Sequence, residues 1–173
     1  MKIAVMGTGN VGQTIGAKLI ALGHEVRMGS RSAQHEKALA FIEKQGSAAS
    51  CGTFADAAKF GSVIFNCTAG MGSLAAFASC EAGDLAGKTI IDLANTLDFS
   101  KGMPPTLSIV NNSSLGEELQ LAFPQANIVK ALNTMWCGLM IEPNLVNGGE
   151  HDVFICGNDN SAKQITREML RSF

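Results

Sequence analysis

Within its first dozen residues the chain passes from an apolar run, Lys2 to Met6, into Gly7-Thr8-Gly9-Asn10-Val11-Gly12. No other feature constrains the fold as tightly. Glycine clusters mark ordinary turns too, but here a strand precedes the GxGxxG pattern and a helix follows it, which predicts a phosphate-binding turn. Gly7 permits the tight turn out of the strand. Gly9 lets the backbone approach a pyrophosphate, and Gly12 lets the helix pack closely on the sheet. The N–H groups at Asn10 and Val11 then aim at phosphates from the helix N-terminus, helped by its dipole.

The rest of the chain repeats this alternation. Glu25 to Met28, Ala48 to Cys51, Ser62 to Cys67, Lys88 to Leu93, Asn127 to Leu132 and Asp152 to Gly157 read as further strands. Helical spacing fills Val11 to Leu22, Ala33 to Lys44, Ala55 to Phe60, Leu74 to Cys80, Ser114 to Phe123 and Ser161 onward. Gly23 sits where a helix C-cap glycine belongs, Thr53 can cap the short third helix, and Ser114 with Glu117 forms a capping box. Gly102 to Asn112, with Pro104-Pro105, reads as a loop, and Asn133 to Gly149 as mostly irregular. Strands linked by helices predict parallel βαβ units and, under the right-handed crossover rule, a Rossmann-type doubly wound sheet. The expected architecture is α/β, mostly parallel, in three layers, with residues 1–173 as one domain. The last helix reaches Phe173 without a glycine or proline stop. That predicts a shortened form of a longer protein, lacking a C-terminal extension.

The second strand chooses the dinucleotide. An NAD site usually carries Asp or Glu where this strand ends, to accept from the ribose 2′-hydroxyl. Here the sequence runs Val26-Arg27-Met28-Gly29-Ser30-Arg31-Ser32, with no carboxylate. A carboxylate would repel a 2′-phosphate, whereas Arg31 can pair with one through its planar fork. Ser30 and Ser32 add hydroxyl donors, Thr8 can approach from the first loop, and His35 lies one turn further on. The expected cofactor is NADP.

Ligands of open α/β sheets lie beyond the carboxyl ends of the strands. Three such ends carry polar residues in apolar surroundings: Asn66 to Gly70, Asp92 to Thr96, and Lys130 to Thr134. Cys67, Thr68 and Ala69 with Asn95 and Asn133 are therefore candidate contacts to the nicotinamide half, and Thr134 is another. These residue types also form turns and helix caps after strands. No catalytic acid–base constellation is visible, and the chain has no tyrosine. Reduction of a carbonyl or oxidation of an alcohol needs a group to move a proton. Hydride exchange between two ring cofactors needs only their alignment.

Composition narrows the classes further. With 46% apolar residues, 16% charged residues and a net charge of −2, the chain reads as globular, with nothing to suggest nucleic-acid or membrane-surface binding. No apolar run is long enough to span a bilayer and no signal-peptide pattern opens the chain, so a cytoplasmic protein is expected. The five cysteines form no CxxC pair and read as buried, reduced thiols. His24, His35 and His151 are scattered, so no metal site is expected.

The opening Met1 to Gly12, then Leu22-Gly23-His24-Glu25-Val26 and Gly29-Ser30-Arg31, resemble NADP oxidoreductases of the coenzyme F420-dependent family. Ile91 to Asn95, Val129 to Thr134 and Phe154 to Asn158 are similar to that family too. The resemblance implies reversible hydride transfer between NADPH and a deazaflavin such as F420, or a flavin. It also implies Thr8, Ser30 and Arg31 on the 2′-phosphate, and a homodimer. It further implies a family that continues beyond this chain's end. Where the family often carries a lysine beyond the arginine, this chain has His35. Other classes stay open on the residues alone: a non-catalytic NADP-binding redox sensor, an NADPH-dependent reductase of a small imine or carbonyl substrate, and a metalloreductase or flavin-reductase-like role.

Overall fold

A computed structural model describes residues 1–173. Its main sheet has seven strands in the order β3-β2-β1-β4-β5-β8-β9. These are β1 (Lys2–Met6), β2 (Glu25–Ser30), β3 (Ala49–Thr53), β4 (Val63–Asn66), β5 (Thr89–Asp92), β8 (Asn127–Lys130) and β9 (Cys156–Gly157). All neighbours pair in parallel except β9, which runs antiparallel to β8. β6 (Leu97–Asp98) and β7 (Thr106–Leu107) make a separate small hairpin. The eight helices are α1 (Asn10–Ala21), α2 (Glu36–Gln45), α3 (Phe54–Phe60), α4 (Gly70–Ala78), α5 (Ala82–Leu85), α6 (Leu115–Ala122), α7 (Cys137–Ile141) and α8 (Asn160–Arg171).

The three layers follow from strand alternation. Successive side chains of a strand point to opposite faces. Ile3 and Val5 of β1 join one core, with Ile15 of α1, Phe41 of α2, Met140 of α7 and Met169 of α8. Ala4 and Met6 join the other, with Ala57 of α3, Phe77 of α4, Leu85 of α5 and Leu119 of α6. β4 splits in the same way, Phe65 to the first core and Ile64 to the second. Phe65 also stacks on Phe173, ring centroids 6.3 Å apart. Because both faces are covered, these strands are continuous apolar runs rather than alternating ones. The expected doubly wound α/β domain is therefore present.

Helix ends match the residue chemistry. After α1, Gly23 adopts φ +84°, its N–H donates to Ile20 and that of His24 to Leu19, the paired bonds of a Schellman motif. At α3 the Thr53 hydroxyl accepts from the Asp56 N–H at 3.1 Å, and the Asp56 carboxylate accepts from the Thr53 N–H at 2.8 Å. The Thr53 hydroxyl, and then the Thr53 N–H, hold the Asp56 carboxyl below its ordinary value. This contribution is present at neutral pH and is lost as pH falls through that lowered value. Thr53→Ala is expected to lower stability by about 1 kcal/mol, read as a loss of about 2–4 °C in thermal melting.

Four sequence expectations need correction. α2 begins at Glu36 rather than Ala33, because Ser32 first closes a turn: its hydroxyl accepts from the Gln34 N–H and its carbonyl from the His35 N–H. The last strand is only Cys156–Gly157 and is antiparallel, so Asp152 to Ile155 is irregular edge backbone rather than strand. The expected loop at Gly102 to Asn112 contains β7, which returns to pair with β6. The segment after Asn133 contains α7, which packs against α1.

Candidate functional site

The sheet winds outward in opposite directions from β1 and β4, so a crevice opens beyond their carboxyl ends. Two cavities occupy this crevice. The larger, about 810 Å³, runs from the glycine loop past Ser30 and Arg31 to Thr53, Phe54 and Ala55, with Ala75 and Ala76 of α4 and Ser79 at its C-cap also lining it. The smaller, about 320 Å³, is walled by Val11, Leu93, Ala94, Asn95, Asn133 and a set of apolar side chains, Met71, Leu97, Phe99, Met135 and Met140. Cys67, Thr68 and Ala69, just past β4, line both. They form the neck between the two.

Backbone geometry shapes the first cavity. Gly7 turns at φ +112°, and a Cβ there would sit 2.6 Å from the Cys67 carbonyl oxygen. A Cβ on Gly12 would overlap the Gly7 carbonyl oxygen, so α1 lies directly against the turn. Gly9 differs, because a Cβ there would meet nothing within 4 Å. Its missing side chain leaves open the space that a pyrophosphate needs. The first bond within α1 is Gln13 N–H to Gly9 carbonyl, 3.0 Å, so the N–H groups of Asn10 to Gly12 have no helical acceptor ahead of them. This is the donor set and positive dipole end that hold an anion.

At the far end of β2 the buried Ser30 hydroxyl donates to the Ser32 carbonyl at 2.6 Å. Its proton braces the loop at the edge of the cavity that Ser30 lines. Arg31 is exposed and lines the same wall. The ion pair of the structure lies elsewhere, between Asp92 and Lys130, so no carboxylate neutralises Arg31. His35 lines neither cavity; it stands at the N-cap of α2, with Nδ1 buried and unpartnered.

The neck and the second cavity rest on a buried polar lattice. Asn66, Asp92 and Lys130 lie side by side in register on β4, β5 and β8. Asn66 Nδ2 donates to Asp92 Oδ1 at 2.8 Å, and Lys130 Nζ donates to Asp92 Oδ2 at 2.9 Å and to the Ala94 carbonyl. Beyond them, Asn95 Nδ2 donates to the Asn133 carbonyl at 2.7 Å and Asn133 Nδ2 to Asn95 Oδ1 at 3.3 Å. Leu132 reaches this pairing through φ +57°, a left-handed conformation that a leucine holds only where its surroundings enforce it. Burial, and secondarily the Asp92 charge, push the Cys67 thiol far above its usual range.

Of the sequence candidates, Gly7, Thr8, Gly9, Ser30 and Arg31 line the first cavity, Val11, Asn95 and Asn133 the second, and Cys67, Thr68 and Ala69 both. Asn10 and Gly12 line neither; Asn10 starts α1 and Gly12 is packed beneath the turn. Thr134 is exposed and lines neither. Sequence reasoning missed Thr53 to Ala55, the α4 wall, the methionines and the hairpin residues Leu97 and Phe99. Only the run of small residues in α4 hinted at a close approach.

The family model for NADP oxidoreductase, coenzyme F420-dependent, matches residues 2–96. The chain belongs to this family. It is 27% identical over 178 residues to the F420-dependent NADP reductase of Methanocaldococcus jannaschii, covering 98% of this chain and 78% of that protein. It is also 27% identical over 179 residues to the metalloreductase STEAP3 of Rattus norvegicus, but spans only 32% of the rat protein's length. Among solved structures, a protein of Arthrobacter sp. FB24 assigned as an F420-dependent NADP reductase superimposes with a TM-score of 0.92 at 44% identity. That match covers 99% of this chain and 80% of the other. A reductive aminase from Aspergillus terreus shares the fold, at a TM-score of 0.69 and 19% identity. Family membership makes the chain an NADP-dependent oxidoreductase, and the open cradle at Gly9 fits the cofactor. No helix is long and apolar enough to cross a membrane.

Proposed function

We propose that the chain binds NADPH along the two cavities and supports hydride exchange with a planar deazaflavin or flavin-like acceptor seated in the smaller one. In this reading the glycine loop and the N-terminus of α1 hold the pyrophosphate. Thr8, Ser30 and Arg31 receive the 2′-phosphate, Arg31 by charge-assisted bonds and Ser30 by shaping the loop that carries it. The nicotinamide end passes the neck at Cys67 to Ala69. Bound NADPH would supply the hydride, solvent the proton that completes the reduced ring, and the chain aligns the partners.

One observation carries the choice of acceptor. Cys67 is the one titratable residue lining the smaller cavity, and its thiol is held protonated. A carbonyl or imine substrate would need a proton donor there; a ring acceptor needs a flat apolar slot, which Met71, Phe99, Met135 and Met140 offer. The deazaflavin reading also agrees with the name of the Methanocaldococcus relative.

The test follows loss of NADPH absorbance with F420, FMN and FAD as alternative acceptors. Turnover is expected with at least one of them, fastest with F420. Tight NADPH binding without turnover on any of the three would overturn the acceptor assignment and leave a redox-sensing module. Cofactor choice is checked separately by calorimetry, where NADPH is expected to bind at least about tenfold more tightly than NADH, the scale of one charge-assisted contact.

A further inference from the structure

The buried lattice beneath the neck fixes more than shape; it fixes the direction of every hydrogen bond in it. Asp92 is fully buried and its oxygens accept from three donors: Asn66 Nδ2 at 2.8 Å, the Ala94 N–H at 3.0 Å and Lys130 Nζ at 2.9 Å. An acceptor-only carboxylate forces the Asn66 amide to turn its NH₂ toward it, since the other orientation would set oxygen against oxygen. The second hydrogen of that NH₂ then reaches Ser73 Oγ at 3.1 Å. The amide oxygen is left to accept from the Thr68 N–H at 3.3 Å and from Thr68 Oγ1 at 2.8 Å. Thr68 has one hydroxyl proton, and it is now committed to Asn66. The 2.7 Å contact between Ser73 and Thr68 must therefore be donated by Ser73.

The chain of bonds thus has one polarity, set at Lys130 and read out at Thr68. Thr68 keeps a single free lone pair and no free proton. Asn66 and Ser73 are fully buried, so water cannot scramble the arrangement. Thr68 stands at the neck, lining both cavities. If the phosphates lie in the larger cavity and the reacting ring in the smaller, the sugar that joins them must cross this point.

We propose that Lys130, Asp92, Asn66 and Ser73 are positioning residues that make Thr68 an obligate hydrogen-bond acceptor, matched to a hydroxyl of the nicotinamide ribose. This rests on the reading of the two cavities as an NADPH site. Under it, a donor on the cofactor is recognised at the neck and an acceptor in the same place is rejected. The selectivity originates in a lysine that lines neither cavity itself and touches the wall of the smaller one only through the Ala94 carbonyl.

The test uses calorimetric dissociation constants for NADPH and for two analogues, in which the 2′- or the 3′-hydroxyl of the nicotinamide ribose is replaced by fluorine, an acceptor without a proton. The wild-type chain is expected to bind one of the two analogues about fivefold more weakly than NADPH, the scale of one neutral hydrogen bond. Thr68→Val should weaken NADPH by a similar factor and bind that analogue and NADPH alike. Thr68→Ser, which keeps the hydroxyl, should restore both affinity and discrimination. Asp92→Asn lets the Asn66 amide turn over. It should abolish discrimination while adding nothing to the loss already caused by Thr68→Val in the double variant. Strictly additive losses, or discrimination that survives Thr68→Val, would overturn the proposal. If Asp92→Asn fails to fold, the wild-type, Thr68→Val and Thr68→Ser comparison on the analogues still decides whether Thr68 acts as an acceptor. A wild-type chain that binds NADPH tightly but treats all three ligands alike overturns the polarity claim alone. One that does not bind NADPH overturns the cavity reading and the polarity claim together.

Discussion

Arg31→Asp should reverse the preference between NADPH and NADH. Removing the guanidinium deletes charge-assisted bonds to the 2′-phosphate, about 1.5–3 kcal/mol, or roughly 10–150-fold in affinity. The new carboxylate then repels that phosphate while offering the acceptor that an NAD site uses for its 2′-hydroxyl. The affinity ratio of NADPH to NADH, measured by calorimetry, should fall by at least about 100-fold. Because Arg31 is exposed, the wild-type advantage for NADPH should itself shrink as salt is raised. An unchanged ratio in the variant would mean that the phosphate is held elsewhere.

Two neighbouring glycines should fail in different ways. Gly12→Ala drives a methyl into the Gly7 carbonyl, which is backbone and cannot turn aside. Either the turn or α1 must shift. Overpacking of this kind costs about 3 kcal/mol, which for a domain of this size lowers the melting temperature by about 6–12 °C. NADPH binding should weaken with it, because the donors at the N-terminus of α1 move. Gly9→Ala places its Cβ where nothing in the protein lies within 4 Å. Its melting temperature should stay within about 2 °C of wild type. NADPH affinity should still fall by at least about tenfold, since the side chain fills the cradle. Equal loss of stability in both variants would refute the separate roles given to these two glycines.

The features legible in the sequence were those written locally. The glycine loop, the Gly23 stop, the Thr53 cap and the absence of an acid after β2 depend on neighbours within a few positions. The order of the sheet and the polar lattice do not. Asn66 and Asp92 are 26 residues apart and Asp92 and Lys130 are 38 apart. Each stood out alone as a polar residue ending an apolar strand, yet their pairing exists only once β4, β5 and β8 lie side by side. The β6–β7 hairpin was hidden for another reason. Its strands are two residues each, and glycine and Pro104-Pro105 between them mimic plain loop. Cys156–Gly157 was overextended because the apolar run Val153 to Ile155 reads as strand, although Phe154 is 91% exposed.

Placing Cys67 at the neck has a bearing on durability. Peroxides and alkylating agents attack thiolates, and a sulfur that oxidised at this neck would narrow the passage between the two cavities. Here the sulfur is shielded from solvent and kept in its protonated form by burial and by the Asp92 charge. The same carboxylate that organises the neck therefore also passivates the sulfur beside it. The chain carries a small apolar residue where space is tight without a reactive nucleophile at its most sensitive point.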